Sequence, residues 1–470
     1  MATAVTLTQP VPIKHRLRGY GGQFDCELFT RRGQPTECTE EQLETLKQHI
    51  NKLKPGHSRI FVTAEAIESS PEGIAERRAL MKTVELAQQS GANVNLTWWS
   101  GPYYADAPAE IRPCRPRRHG AFIGDKRMKG FADVIEEARR IGDCVTHVTI
   151  QNEVNYHDIG MQCDVAESQK LYKRLYTILD AELTRRPDPL GLEPNLRRAV
   201  DFVGGDLVAG GMNGVTASNE RDWLAFMQRA MKPPLLDGYS IHVYTAPGGF
   251  QRLDARMGGL RDQIEELGIE LPIYVTEYGV KTRSDKLEPG VLGGKNLEDT
   301  VEAAFDHAWF NALAPQYGCV GFSKWVLYRT DGPDRKFHGW GVICPPQARF
   351  KPLPPSYYVM WLFNHLVDQG WSAAGIWRSS DKLGLVSKFT APEGDNHSVV
   401  ALNRGRARLD LAIPGLKPLF PYRSVIWNAQ GAKTAGMING RRPVLSNAEG
   451  TVSVTVRRNE LVALSTRPIL

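Results

Sequence analysis

The chain has 470 residues, of which 42% are hydrophobic and 23% charged, and its formal net charge at pH 7 is +6. It is longer than an ordinary single domain, and it could hold one large barrel and a smaller module. The composition is typical of a soluble globular protein, and the modest positive charge does not indicate a nucleic-acid-binding protein.

Segments that mark membrane and secreted proteins are missing from the sequence. No apolar run of about 18 residues predicts a membrane span, and the amino-terminal residues lack the apolar stretch of a signal peptide. The seven cysteines are scattered and form no C-x-x-C pair, which does not favour a disulfide framework or a zinc site. We therefore expect a reduced, cytoplasmic protein, although removal of a leader would leave the same sequence.

Eight apolar, β-branched runs alternate with helical segments between residue 17 and about residue 370. The predicted strands cover residues 17–25, 58–64, 93–99, 144–153, 206–213, 237–244, 271–277 and 319–326. Runs of this kind, apolar on both faces, are typical of the buried parallel strands of an α/β protein.

Helix signals lie between these strands. Thr39 and Gln42 predict a capping box, and Ser70 followed by Pro71 predicts an N-cap with proline in the first turn. The later helices are predicted within residues 131–142, 167–183, 222–231, 260–267, 297–313 and 356–367. Eight strand-then-helix repeats predict a closed (β/α)8 TIM barrel over residues 1–370 rather than an open sheet. No G-x-G-x-x-G or Walker motif favours a nucleotide-binding fold.

The pattern changes in the last hundred residues. From residue 371 to 470, six short alternating runs are separated by Gly, Asn, Asp and Pro. This predicts a C-terminal antiparallel β-sandwich domain. Such a domain could bind glycan or brace the barrel, and we favour bracing.

Polar and aromatic side chains concentrate where the predicted strands end, which is where (β/α)8 enzymes place their reacting groups. The candidate site residues are Arg59, Trp98, Trp99, Asn152, Glu153, His242, Tyr244, Glu277 and Trp325. A lone strand-end glutamate is usually a solvated or ion-paired residue. A pair on two strands, Glu153 and Glu277, is what cleavage of a glycosidic bond requires, because one carboxyl protonates the leaving oxygen and the other attacks the sugar or activates water. We expect these two residues to be catalytic and the other seven to bind substrate.

Asn152-Glu153 at the fourth strand and the tetrapeptide TEYG around Glu277 at the seventh resemble the signature of the clan A glycoside hydrolases. The likeness is greatest to family 39 and its relatives, with families 5 and 30 as neighbours. It implies a (β/α)8 enzyme that retains anomeric configuration and needs no cofactor. It further implies that Glu153 is the general acid/base, that Glu277 is the nucleophile, and that Asn152 bonds the sugar 2-hydroxyl.

The same resemblance extends to three more strand-end residues. It implies that Tyr244 positions the nucleophile, that Trp325 forms the floor of the subsite that holds the reacting sugar, and that Arg59 pairs with Glu277. The sequence departs from the family pattern on either side of Asn-Glu, at Gln151 and at Val154, where an aromatic or small residue and a proline are more usual. The subfamily and the substrate therefore stay open.

Other segments near these strand ends carry alternatives. Aromatic residues in 101–104 extend Trp98 and Trp99 into a sugar-stacking wall, or one tryptophan faces the helices as core. Residues 111–130 hold seven Lys and Arg, which form either a solvated surface or a site for an anionic saccharide. Residues 328–341 form a lid over the site, a contact to the aglycone, or an ordinary surface loop. His147 is expected in the interior, and His157 is a possible substrate contact.

The sequence thus predicts a retaining hydrolase of O-glycosidic bonds in an oligosaccharide, polysaccharide or glycoconjugate. A transglycosidase with the same site stays open, and a non-catalytic carbohydrate-binding barrel is disfavoured because both carboxylates are present. No cofactor is expected, and no metal, since no spacing such as H-E-x-x-H occurs. The expected partner is a carbohydrate, with an extended or anionic glycan as one option, and neither nucleic acid nor membrane. The sugar, its anomeric configuration, endo or exo action and oligomeric state stay open.

Overall fold

The computed structural model describes residues 2–12, 14–24, 28–29, 38–63, 65–99, 125–155, 165–208, 217–281, 291–292, 295–328, 341–344, 349–428, 438–439 and 443–469. Strands are numbered β1 to β20 and helices α1 to α9 in chain order. None of the described helices combines the length and the apolar character needed to cross a bilayer.

Eight parallel strands close into a barrel, as the repeat pattern predicted. The barrel strands are β2 (Gly19–Phe24), β3 (His57–Val62), β4 (Asn93–Trp98), β5 (Val145–Thr149), β6 (Asp201–Val208), β7 (Gly238–Thr245), β8 (Ile273–Val280) and β11 (Cys319–Lys324). Strand β11 closes the ring by pairing with both β8 and β2. The strands are buried along nearly their whole length because helices cover the outside and side chains fill the inside.

Helices connect the barrel strands on the outside. They are α1 (Glu40–Leu53), α2 (Pro71–Ser90), α3 (Asp125–Ile141), α4 (Val165–Thr184), α5 (Leu196–Ala199), α6 (Ala217–Ala230), α7 (Phe250–Leu267), α8 (Val301–Leu313) and α9 (Pro354–Leu366). The predicted capping box of Thr39 and Gln42 is confirmed, with both reciprocal hydrogen bonds present. Ser70 caps α2 through a hydrogen bond from the Gly73 backbone, and Pro71 opens the helix, also as predicted.

The fifth barrel strand was placed too late in the sequence. It was predicted at residues 206–213, whereas β6 covers Asp201–Val208. Two consecutive glycines, Gly204 and Gly205, lie inside this strand, and glycine in a strand interior is a weak strand signal. The register with β7 shifts between Gly204 and Leu207, and Gly205 has a φ of +116°. The irregularity that hides the strand in the sequence is thus a bulge within it.

The carboxyl-terminal region forms two antiparallel sheets. One contains β12 (Ser372–Arg378), β13 (Gly384–Thr390), β14 (His397–Asn403), β16 (Pro421–Trp427), β17 (Ile438–Asn439) and β20 (Glu460–Ser465), with β18 (Val444–Leu445) paired to β16. The other contains β15 (Leu409–Ile413), β19 (Val452–Val456) and the amino-terminal β1 (Thr3–Ala4), which runs parallel to β15. A short hairpin, β9 (Val291–Leu292) with β10 (Lys295–Asn296), lies after β8. The boundary at residues 370 and 371 stays a prediction, and β1 lies on the sandwich side of it.

Buried polar and aromatic contacts fix the sandwich to the barrel. The Ser387 hydroxyl, on β13, donates to the Ala312 carbonyl at 2.8 Å and accepts from Gln316 Nε2 at 2.7 Å. The ring of Trp427 packs 6.3 Å from the ring of Phe305 on α8. The sandwich therefore packs against the α8 side of the barrel, as a bracing domain would.

Three aromatic side chains fill the amino-terminal end of the barrel interior. The rings of His57, His147 and Tyr274 lie 4.9–5.0 Å apart, and His147 Nε2 is 3.0 Å from the Tyr274 hydroxyl. Burial lowers the pKa of His57 to about 3, so the ring is neutral at physiological pH. His147 is the interior residue that the sequence predicted. At the same end of the barrel, Gly21 has no room for a side chain, because an added Cβ would lie 2.1 Å from the backbone carbonyl oxygen of His57.

Replacing Gly21 with alanine should lower the free energy of unfolding by about 3 kcal/mol or more, because the clash is with backbone that cannot move independently. Gly259→Ala is the matched control: it lies inside α7 with no atom within 4 Å of an added Cβ. This control should stabilise the protein by about 0.5–1 kcal/mol through helix propensity. Urea denaturation of the two variants measures both effects, and equal stability of the pair would contradict the close packing at Gly21.

Candidate active site

Two carboxylates and a guanidinium meet at the carboxyl-terminal end of the barrel. Arg59 lies on β3, Glu277 on β8, and Glu153 directly beyond the end of β5. One carboxylate oxygen of Glu153 and one of Glu277 lie within 4.8 Å of each other, and each residue is 8% exposed. This gap is too narrow for the water that an inverting glycosidase holds between carboxyls about 6.5–9.5 Å apart, and it suits direct attack by one of the two.

Glu277 is held as an anion by two donors. Arg59 Nη2 lies 2.5 Å from Oε2, and the Tyr244 hydroxyl donates to Oε1. Burial raises the pKa of Glu277, but the His242 and Arg59 charges and these hydrogen bonds outweigh burial and lower the pKa below its ordinary value. An ionised carboxylate at neutral pH with a fixed orientation is what a nucleophile needs.

Arg59 lies beneath the site and does not reach its surface. Its side chain is fully buried, so the prediction that it binds substrate directly is wrong, whereas the pairing with Glu277 that the resemblance implied is present. Nε donates to Gln23 Oε1 at 2.7 Å, and Nη1 to Asn152 Oδ1 at 3.2 Å and Asp206 Oδ2 at 3.4 Å. The guanidinium thus orients Glu277 and Asn152 together.

Glu153 lies in a turn with an unusual backbone. Gln151 and Glu153 have φ values of +66° and +53°, a region that costs a residue with a side chain about 1–3 kcal/mol. The Asn152 backbone N–H donates to the Trp98 carbonyl at 2.9 Å, which fixes the turn to β4. The turn points Glu153 toward Glu277, and Gln151 is the position where the sequence departs from the family pattern.

His242 lies between the carboxylates and is a correction to the prediction. Its side chain is fully buried and cannot contact a sugar; Nδ1 is 2.9 Å from Glu153 Oε1. Burial lowers the pKa of His242, but Glu277, Asp206 and Glu153 outweigh burial and raise the pKa to about 9. Arg59 Nη1 lies 3.2 Å from Nε2, a contact that suits a neutral ring, but three carboxylates outweigh this one contact and favour the cation.

Asp206 is a third buried carboxylate that the sequence did not single out. Oδ1 accepts from the Thr276 hydroxyl at 2.5 Å, the Asp206 backbone N–H donates to Ser240 Oγ at 2.7 Å, and Oδ2 faces Arg59 and His242. Burial raises the pKa of Asp206, but these partners outweigh burial and lower it to about 2. Asp206 was missed because the predicted strand began at this residue, whereas β6 approaches its carboxyl end here.

Aromatic rings line one side of the site. Trp99 stacks on Phe61 with centroids 5.2 Å apart, and Phe61 lies 5.6 Å from Trp325. Trp99 and Trp325 are partly exposed, as a surface for stacking on a sugar requires. Phe61 was not predicted; its signal in the sequence is its place two residues after Arg59, which puts both side chains on one face of β3.

Trp98 does not belong to this wall, so its predicted substrate contact is wrong. Its side chain is fully buried, and its ring packs edge-on against Phe131 of α3 with centroids 5.7 Å apart. Successive side chains of a strand point to opposite faces, so only one of two adjacent tryptophans can face the site. The alternative that one of the pair is core is the one the structure supports.

Several predicted segments lie outside the described residues: the aromatic stretch 101–104, His157, residues 329–340, and the basic cluster up to residue 124. The described part of that cluster is in α3. There Arg127 pairs with Glu68 at 3.3 Å, and Lys129 is exposed.

Within the described ranges, one group of side chains has the geometry to hold a metal ion. Glu153, His242 and Glu277 each offer a ligand atom, and these atoms lie within 4.8 Å of one another. The two carboxylates already have positively charged partners, because Arg59 binds Glu277 and the His242 ring binds Glu153. A metal ion would have to displace the His242 proton, so the arrangement suits acid–base chemistry better.

The fold is shared with known glycoside hydrolases. The structure is similar to the family 30 xylanase C catalytic domain of Talaromyces cellulolyticus (13% identity, TM-score 0.64, 98% of this chain and 99% of that one). It is equally similar to the family 51 arabinofuranosidase of Xanthomonas axonopodis pv. citri, with 13% identity, a TM-score of 0.64, and coverage of 98% of this chain and 99% of that one. A family 39 glycoside hydrolase of Bacteroides cellulosilyticus WH2 is also similar, with 15% identity, a TM-score of 0.59, and coverage of 96% of this chain and 81% of that one. No protein-family model matches the chain, and no curated protein matches its sequence. At these identities the similarity shows the fold, and the predicted family 39 is among the neighbours.

The buried cation at His242 makes stability depend on pH. Its folded pKa of about 9 lies above the ordinary 6.5, so its contribution is complete below pH 6.5 and is lost as pH rises through 9. A shift of this size corresponds to about 3 kcal/mol. Between pH 6.5 and 9 the free energy of unfolding should therefore fall by about 3 kcal/mol more in the wild type than in His242→Gln, as measured by urea denaturation.

His397→Gln is the control for this titration. Burial lowers the pKa of His397, so its change of charge lies at or below pH 6.5, and this variant should follow the wild-type slope between pH 6.5 and 9. Parallel curves for His242→Gln and the wild type would contradict a cationic His242.

Proposed function

We propose that the protein is a retaining glycoside hydrolase in which Glu277 is the nucleophile and Glu153 the general acid/base. The observation that carries this proposal is the separation of the two carboxylates, whose oxygens lie within 4.8 Å of each other. Retaining enzymes place their carboxyls about 5–5.5 Å apart, because the nucleophile must reach the anomeric carbon without an intervening water. The fold shared with xylanases and arabinofuranosidases supports the same conclusion.

The surroundings of the two carboxylates support this division of roles. Glu277 accepts hydrogen bonds from Arg59 and Tyr244, which keep it ionised and aim it. Glu153 has one partner among these groups, the His242 ring, and neither Arg59 nor Tyr244 binds it. A fixed anion beside an exchangeable acid is the pairing that general acid catalysis with a covalent intermediate requires.

The reaction then follows in two steps. Glu277 attacks the anomeric carbon while Glu153 transfers its proton to the departing glycosidic oxygen, which leaves a glycosyl ester on Glu277. Glu153, now ionised, takes a proton from a water molecule that attacks the same carbon and releases the sugar. Two inversions give net retention. An acceptor sugar in place of that water would give transglycosylation at the same site.

The described aromatic wall and the structural neighbours suggest where to look for the substrate. Trp99 and Trp325 offer partly exposed stacking surface for a sugar ring, and the buried Phe61 packs against both. The neighbours include a family 30 xylanase and a family 51 arabinofuranosidase, so aryl β-D-xylosides, aryl α-L-arabinofuranosides and xylan belong first in the panel. The sandwich acts as a brace in this proposal, and the expected cytoplasmic location is part of it.

Replacing each carboxylate by alanine should separate the two roles. On an aryl glycoside with a good leaving group, Glu277→Ala should lose about 10⁴-fold or more in kcat. Glu153→Ala should lose about 10²-fold, because such a leaving group needs little protonation. Added azide should restore turnover in both variants. It should give a glycosyl azide of inverted configuration with Glu277→Ala and of retained configuration with Glu153→Ala, read by NMR.

Glu270→Ala serves as the control for these variants, because this glutamate lies at the opposite end of the barrel in an exposed pair with Lys14. It should keep wild-type kcat. If Glu277→Ala turned over substrate as fast as this control, the proposed nucleophile would be wrong.

The narrow carboxylate gap also makes a stereochemical prediction. The first sugar released by the wild-type protein should have the anomeric configuration of the substrate, before mutarotation mixes the two anomers. Proton NMR during the first minutes of hydrolysis measures this. Release of the opposite anomer would contradict the covalent mechanism, and it would imply a wider carboxylate separation than the structure has.

A further inference from the structure

Lys281 is a basic residue at the mouth of the barrel that neither the sequence analysis nor the proposed mechanism used. It directly follows β8, and its backbone N–H donates to the Thr245 carbonyl at 2.8 Å, which continues the pairing of β7 with β8. With side chains alternating along a strand, Glu277, Gly279 and Lys281 share one face. Gly279 has no side chain, so nothing from this strand fills the space between the carboxylate and the lysine.

Tyr244 spans that space from the neighbouring strand. Its hydroxyl donates to Glu277, and its ring centroid lies 4.8 Å from Lys281 Nζ. Gly279 pairs with Tyr244 across the two strands, so the phenol ring covers the gap that the glycine leaves. Tyr244 therefore contacts both groups: its hydroxyl meets the Glu277 carboxylate, and the ammonium lies over its ring.

The ammonium of Lys281 has no ion pair or hydrogen bond to any side chain that the structure describes, although the residue is only partly exposed. The nearby carboxylates have other cations: Arg59 binds Glu277, and His242 binds Glu153. Burial lowers the pKa of Lys281, and the charges of Glu153 and Glu277 oppose this. The described contact of the ammonium is the face of the Tyr244 ring, and a cation–π contact of this kind leaves its N–H donors available. A ligand carboxylate would therefore add charge-assisted hydrogen bonds to Lys281.

We propose that Lys281 makes this site selective for a uronic acid, by binding the carboxylate of the sugar whose anomeric carbon faces Glu277. This inference rests on the proposed function, since it names the substrate class of the same site. The sugar would lie along Tyr244 with its anomeric carbon at Glu277 and its carboxylate at the ammonium. Among the described residues, the charged groups around this position are Glu153 and Glu277 at the barrel floor, the buried Arg59 and His242 beneath them, and Lys281 at the mouth.

Binding of free sugars tests the proposal without requiring turnover. Saturation-transfer NMR titrations would compare glucuronate, galacturonate, mannuronate and guluronate with glucose, galactose, mannose and gulose. For at least one pair the wild-type protein should bind the uronate tenfold or more tightly than the neutral sugar. Lys281→Met should remove that preference, and Lys281→Arg should keep most of it. Lys232→Met, which removes an exposed lysine elsewhere, is the control and should match the wild type.

Two results would overturn the proposal: a wild-type protein with no preference for any uronate, or a preference that survives in Lys281→Met. The outcome is independent of the proposed hydrolase activity when Glu277→Ala is included, because that variant should keep the uronate preference while losing turnover. Hydrolysis of neutral glycosides without uronate selectivity would leave the hydrolase assignment standing and remove the role of Lys281. Selective uronate binding without turnover of any aryl uronide or glycoside would support the role of Lys281 and contradict the hydrolase assignment.

Discussion

The buried guanidinium of Arg59 is the interaction on which the rest of the site depends. Through Gln23, Asn152, Asp206 and Glu277 it links side chains from β2, the end of β5, β6 and β8 to its own strand β3. A buried charge of this kind is tolerated only when its hydrogen bonds are satisfied, and loss of one partner leaves the other uncompensated. The guanidinium therefore fixes the position of Glu277, the proposed nucleophile, and joins side chains of the surrounding strands.

A second cation completes the balance of charge. Arg59 and His242 together face three carboxylates, those of Asp206, Glu153 and Glu277. When Glu153 carries a proton, two positive and two negative groups remain, and the buried cluster is neutral. When Glu153 is ionised, the cluster has one excess negative charge that is largely shielded from water. In the proposed cycle, the cluster is thus electrically balanced at the step in which Glu153 holds the proton that it donates.

The sequence was sufficient to predict the barrel and the positions of Glu153 and Glu277, because the carboxyl ends of parallel strands meet at one place whatever their exact limits. It could not predict which of Trp98 and Trp99 faces the site, since a shift of one residue exchanges the two faces of a strand. Asp206 escaped notice because the bulge at Gly204 and Gly205 obscured its strand. The burial of Arg59 and His242 results from packing by strands that are far apart in the sequence. Local sequence patterns could not predict it.

The pairing of β1 with β15 has a consequence for how the protein is made. Thr3 lies opposite Leu411, so β1 is synthesised before the barrel strands and its partner β15 after them. The barrel strands are all synthesised between them, and domains generally fold in the order in which they are made. The sandwich can therefore complete its second sheet only after the barrel has been translated. Until then, the backbone groups through which β1 pairs with β15 lack their partner strand.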